Sequence, residues 1–177
     1  MGSGDRRETL GSERTMAIYM KVEGVKGRVT ATGYEDHIEV ESCQVGATCP
    51  TQARAGNMGD RTGGTISYSD ISVSRTQDDS TTELFQKMFE KKQLTKVEFK
   101  FVKTGEKFHE YMRITIYDAL ITSYSISGHG GDNHGRPHEM ISYSFAKIEY
   151  LVKPENEKDA QKGQKTAGYD LKTAKKV

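Results

Sequence analysis

Three histidines, His129, His134 and His138, sit close together in the glycine-rich stretch GHGGDNHGRPHEM. Three imidazoles, with Asp132 or Glu139 adding a carboxylate, are a donor set that could hold zinc, and zinc with an open coordination position would make a metal hydrolase. Metal ligands are normally held by rigid elements with supporting hydrogen bonds, whereas Gly128, Gly130, Gly131 and Gly135 make this stretch the reverse of rigid. Its flanks, YDALITSYSIS and ISYSFAKIEY, are strand-like, so the simpler reading is the solvated tip of a long hairpin. His37 beside Asp36 and His109 beside Glu110 have the types for general acid work, but exposed histidines at strand ends are the more economical reading. Phosphate-cradling, nucleophile-elbow and HExxH motifs are absent from the sequence. Cys43 and Cys49 are spaced too widely for a CxxC site and read as reduced thiols, with a cross-link as the lesser alternative. No catalytic residue, metal ligand or cofactor is assigned, and a non-enzymatic structural or binding role is expected.

The chain of 177 residues fits one domain with a core of its own. Its 26 lysines and arginines nearly balance 25 aspartates and glutamates, so no global field draws it to nucleic acid. No apolar run has the length for membrane insertion, and the amino terminus lacks a secretory signal's apolar core. Residues 1–15 are polar and read as a disordered extension or an added leader, with the folded domain at 16–177.

The elements that must position these side chains are mostly strands. Ile18, Met20 and Val22 alternate with Tyr19, Lys21 and Glu23, and EGVKG then reads as a turn. HIEVESC, ISYSDISVSR, TKVEFKFVK and YMRITIYDALITSYSI continue the pattern. One helix is expected where STTE, with Ser80 and Glu83, matches a capping box and Leu84, Phe85, Met88 and Phe89 form an apolar stripe. Residues 46–65 read as a long structureless loop. In EMISYSFAKIEYLV the apolar phase changes: Ile141, Tyr143 and Phe145 share one face, and Ala146, Ile148, Tyr150 and Val152 the other. That requires a bulge or cover on both faces, and one short helix cannot cover every strand, so another subunit is expected to bury part of the surface. After Pro154 the lysine-rich tail, 154–177, contains AGYDL, which either docks as a terminal strand or stays solvated.

Taken in order, YMKVEGVKG, HIEVES, YSDISVSR, YDALITSYSISG, ISYSFAKIEY and AGYDLKTAKKV resemble the haemolysin-coregulated protein (Hcp) family, the tube subunit of bacterial type VI secretion systems. The resemblance implies a mainly β fold, a small β-barrel of two antiparallel sheets with one α-helix on its side, like phage tail-tube proteins. It also implies homohexameric rings that stack into a tube, with a spike protein at the tip, a contractile sheath around it and effector proteins carried in the lumen. Assembly in the bacterial cytoplasm and export without a signal peptide follow from the same resemblance. The family's ring-stacking loop corresponds to residues 46–65, where Cys49, Pro50, Arg54, Asn57, Asp60 and Arg61 are the candidate contact residues. Family members often carry an aromatic residue where Cys43 stands, so strand packing differs there in detail. A phage or phage-derived tail-tube protein is the alternative reading.

Overall fold

The computed structural model describes residues 16–52, 62–105, 108–130, 135–154 and 163–177. Fourteen strands and one helix follow in the order β1 (Met16–Val22), β2 (Ile38–Val40), β3 (Ser42–Gln44), β4 (Ala47–Thr48), β5 (Thr51–Gln52), β6 (Thr62–Gly63), β7 (Ser67–Tyr68), β8 (Ile71–Thr76), α1 (Thr81–Phe89), β9 (Leu94–Lys103), β10 (His109–Ser127), β11 (His138–Ser144), β12 (Lys147–Val152), β13 (Lys165–Asp170) and β14 (Lys175–Lys176). All pairings are antiparallel.

Two sheets share the long strand β10. Its first half lies between β9 and β12, in a sheet that continues to β1 and β2 on one side and β13 and β14 on the other. Its second half pairs with β11, and that sheet continues through β8 to β3. The chain steps from one sheet to the other at Glu41, between β2 and β3, and Glu41 N–H donates to the Ser74 carbonyl at 2.8 Å. The two antiparallel sheets and lateral helix are those expected, but among the described residues no ladder joins the sheets at this seam, so the barrel is not closed by hydrogen bonds.

The phase change noted in the sequence is a sheet change. Phe145 and Ala146 separate β11 from β12, and opposite them Asp118 of β10 has φ +51°, a left-handed conformation that aspartate tolerates better than most residues. The Ala146 N–H donates to the Tyr117 carbonyl at 3.1 Å, which ties the bend to β10.

The core between the sheets is built from the inward phase of each strand: Met20 and Val22, Ile38 and Val40, Ile71 and Val73, Val97 and Phe99, Ile114 and Ile116, Ile141 and Tyr143, with Leu84 from the helix. Burying each of these side chains contributes about 1.5–3 kcal/mol. Tyr19 departs from its expected solvent-facing phase. Residues 23–37 do not end in a turn but fold back as a flap over the outer face of β1 and β9, so that Tyr19, Tyr34 and Val102 form a second small cluster. Gly27 allows this close approach, because a Cβ there would lie 2.1 Å from the His37 carbonyl oxygen. Of the two options for AGYDL, docking is what occurs: β13 pairs along the whole of β12.

Candidate functional site

Two of the segments singled out in the sequence, 46–65 and the histidine-bearing turn, join opposite ends of the sheet formed by β3, β8, β11 and the second half of β10. At one end the chain leaves β3 and returns to β8 as an arm. The segment read as structureless carries two short ladders in its described residues: β4 pairs with β7, β5 pairs with β6, and Gly64 N–H donates to the Pro50 carbonyl at 2.8 Å. Small residues make this possible, since a Cβ on Gly64 would already touch Pro50 at 3.0 Å. Cys49 is exposed on the arm with its Sγ 3.4 Å from the Gly64 carbonyl, and Pro50 is exposed beside it. Arg54, Asn57, Asp60 and Arg61 lie outside the described residues.

At the other end is the turn between β10 and β11. His129 is exposed there, and His138 opens β11 with its Nδ1 3.5 Å from a carboxylate oxygen of Glu41. His134 and Asp132 lie outside the described residues, and Glu139 is turned away into the interior. Among the described residues no three His, Cys, Asp or Glu side chains come together as a metal site. The other histidines have structural surroundings. His37 is buried, contrary to its strand-end reading: its Nδ1 lies 3.0 Å from the Glu35 carbonyl and its Nε2 3.1 Å from Lys100 Nζ. Burial, and then the nearby Lys100 and Lys21 cations, hold its pKa below the ordinary histidine value against the hydrogen bond to Glu35. His109 Nε2 lies 3.1 Å from the Pro154 carbonyl.

Between these ends, the outward face of the same sheet is paved with hydroxyls. Ser42, Ser74, Ser125 and Met140 stand in one cross-strand row, and Gln44, Ser72, Ser142 and Ser123 in the next. The Ser42 and Ser74 hydroxyls are 2.6 Å apart, and those of Ser72 and Ser142 are 3.1 Å apart. Neither row carries a charged side chain. The outer face of the larger sheet is the opposite: Glu98 pairs with Lys96 at 3.0 Å, Arg113 with Glu110 at 2.8 Å, and Lys147 with Glu149 at 2.7 Å.

The hydroxyl-paved sheet is locked to the helix by a buried charge cluster that the sequence reading missed. Arg75 and Glu139 are both fully buried and joined by a bond of 2.7 Å. The Arg75 guanidinium also donates to Asp78 at 3.0 Å, Ser80 at 2.7 Å and Thr81 at 2.9 Å, while Thr81 and Tyr124 donate to Glu139 at 2.8 and 2.9 Å. Burial works against the Arg75 charge, but Asp78 and Glu139 outweigh it and hold its pKa above the usual arginine value. This cluster also replaces the expected capping box. Ser80 sits at the helix N-cap without capping it, because its hydroxyl is engaged by Arg75 and Asp78. The available signal was phase: Arg75 shares the inward phase of Ile71 and Val73, and Glu139 that of Ile141 and Tyr143.

Cys43 faces the core from β3, and burial pushes its thiol pKa up to about 12, so of the two thiols only Cys49 is placed to meet a neighbouring molecule.

A two-sheet β domain with one lateral helix and a projecting hairpin arm is a recognisable architecture, and comparison with known proteins identifies it. A family model described as "Type VI secretion system effector, Hcp" matches residues 19–151. The chain therefore belongs to the Hcp family of type VI secretion systems. A solved structure described as that of a type six secretion system protein superposes with a TM-score of 0.83 at 21% identity, covering 92% of this chain and 100% of its own. Hcp1 from Salmonella typhimurium gives 0.73 at 22% identity, over 92% and 99% of the two chains. A chain of the anti-feeding prophage baseplate, solved with 6-fold symmetry, gives 0.50 at 6% identity, over 86% of this chain and 98% of that one. At these identities the structural likeness shows the fold. Comparison with curated protein sequences finds no significant match. No helix among the described residues is long and apolar enough to cross a membrane.

Proposed function

We propose that the protein is the inner-tube subunit of a type VI secretion system, forming six-membered rings that stack, with the sheet of β3, β8, β11 and the second half of β10 turned towards the channel. The observation that carries this reading is the pair of uncharged, hydroxyl-rich rows on that sheet, set against the charged outer face of the other. In a ring every channel-facing side chain recurs in each subunit. A single charge per subunit would become a charged collar that traps cargo of one sign and repels the other. Serine hydroxyls exchange hydrogen bonds with water or cargo for a net of about 0.5–1.5 kcal/mol each, which suits reversible contact with varied effector polypeptides. Large apolar side chains left exposed elsewhere on the single chain, Phe89 and Val152 among them, are surface for neighbouring subunits, spike or sheath to cover. Export without a signal peptide and the absence of an enzymatic role follow the family reading.

The test is a single cysteine at Ser125 in a Cys49→Ser background, labelled with gold-maleimide and imaged. Gold in the central hole of a ring is expected; gold on the outer rim would reverse the assigned face.

A further inference from the structure

His37 is a buried titratable group for which the channel reading has no use. It is the last residue of the flap of residues 23–37, is only 6% exposed, and closes the flap against the outer face of β1 and β9. Both of its ring nitrogens are engaged. The Glu35 carbonyl, 3.0 Å from Nδ1, can only accept, so Nδ1 carries the proton of the neutral ring. Nε2 is then a lone pair, and the Lys100 ammonium donates to it at 3.1 Å. The site is therefore built for the neutral imidazole. A proton on Nε2 would set two cationic N–H groups against each other at hydrogen-bond distance, with no acceptor between them.

The surrounding groups do not relieve that conflict. From β1 come the Lys21 cation, whose Nζ donates to the Asp36 carbonyl at 3.2 Å, and the Tyr19 ring, stacked behind Tyr34. From β9 comes Lys100, with Glu98 3.7 Å from its Nζ, and from β10 Arg113 and Glu110 act on Lys100 with opposite sign. On the flap itself Tyr34 lies edge-on to the imidazole at 5.7 Å, and the exposed Glu35 carboxylate is held by the Gly33 N–H. Burial, opposed by the Glu35 bond and reinforced by Lys100 and Lys21, keeps the imidazole pKa below its ordinary 6.5. The backbone ties the same residue to the rest of the flap. The His37 carbonyl accepts from Val29 N–H at 3.1 Å, and Asp36 N–H donates to the Val29 carbonyl at 3.0 Å, so the two limbs of the flap meet at His37. Under them lie Tyr19 and the fully buried Val102.

We propose that His37 and Lys100 form a proton-operated latch: neutral His37 holds residues 24–37 closed over Tyr19 and Val102, and protonation of Nε2 expels the imidazole from Lys100 and opens the flap. The open flap takes up the proton around 6.5 and the closed flap only at lower pH, so acid favours the open form. The gain is up to about tenfold per pH unit below 6.5, until the closed form is protonated too. At neutral pH the flap seals this part of the larger sheet's outer face; in acid it uncovers aromatic and apolar surface there. The latch does not rest on the ring reading.

Amide exchange on the full chain, read by mass spectrometry and corrected for the intrinsic pH dependence of exchange, tests it. Between pH 7.5 and pH 5.5 the opening constant over residues 24–37 is expected to rise by about threefold or more, with a ceiling of about tenfold, while the strands of the core change little. His37→Gln keeps a donor for the Glu35 carbonyl and an acceptor for Lys100 but takes up no proton, and is expected to abolish the rise. Lys100→Met removes the opposing cation, so the His37 ring resonance followed by NMR is expected to titrate at higher pH than in the native chain, with a smaller rise in exchange. Exchange over the flap that is unchanged by acid in the native chain, or that rises equally in His37→Gln, overturns the proposal. A native His37 titrating at or above 6.5 overturns it as well.

Discussion

Arg75→Met is the substitution whose cost follows most directly from the structure. The native guanidinium is fully buried and makes four side-chain hydrogen bonds, to Glu139, Asp78, Ser80 and Thr81. Methionine approximates its length but donates nothing. Glu139 keeps the Thr81 and Tyr124 hydroxyls yet loses its counter-charge in a site without water access. Removing one partner of such a pair costs about 3–5 kcal/mol, because the other charge is left buried. For a domain of this size 1 kcal/mol moves Tm by about 2–4 °C, so a fall of roughly 6–20 °C is expected. The sequence contains no tryptophan, so urea unfolding is best followed by far-ultraviolet circular dichroism, at one protein concentration because assembly adds to apparent stability. The double variant Arg75→Met/Glu139→Met is expected to be more stable than Arg75→Met alone, since it leaves no orphaned charge. A loss below about 1 kcal/mol for Arg75→Met, or a double variant worse than the sum of the singles, would refute the reasoning that this cluster holds the helix to the sheet.

Three further outcomes follow from other parts of the molecule. The folded-state pKa of His37 lies below its ordinary value of 6.5, so the unfolded chain takes up the proton first: stability is expected to fall as pH drops through about 6.5 and to level off below the folded value. Urea midpoints at pH 7.5 and pH 5 should show this in the native chain and less of it in His37→Phe; equal slopes in the two would assign the effect elsewhere. In thiol titration of the folded protein Cys49 is expected to react promptly and Cys43 only on unfolding, and two fast thiols would contradict the packing of β3. Gly27→Ala drives a Cβ to within 2.1 Å of the His37 carbonyl oxygen and is expected to lift the flap at a cost of about 1–3 kcal/mol, seen as faster amide exchange over residues 24–37; unchanged exchange would show that the flap adjusts freely.

Strand alternation made the sheets legible, because the buried residues of β8 and β11 lie on one phase and one-sided burial enforces it. The apolar phase change after Phe145 was visible as well, but not its meaning, since a step between sheets and a bulge leave the same pattern in one strand. Tyr19 and His37 were misplaced for a tertiary reason: the flap that buries them carries little apolar residue of its own beyond Val25, Val29 and Tyr34. The arm's short ladders, with their threonines and glycines, have weak local strand preference and are held by cross-strand bonds that a linear reading does not show. On the proposed channel face, the serines were plain in the sequence, but their gathering into two uncharged rows depends on register across four strands. The histidines looked more chemical than the serines; the structure puts His37 into the fold and leaves His138 exposed beside Glu41.

Imaging the purified native chain by electron microscopy tests the central claim most directly. The expected result is a ring of six subunits whose hole is bordered by the Ser42–Ser74–Ser125 and Ser72–Ser142–Ser123 rows. A uniform monomer at high concentration, or a ring with the charged face of Glu98 and Arg113 turned inward, would contradict it.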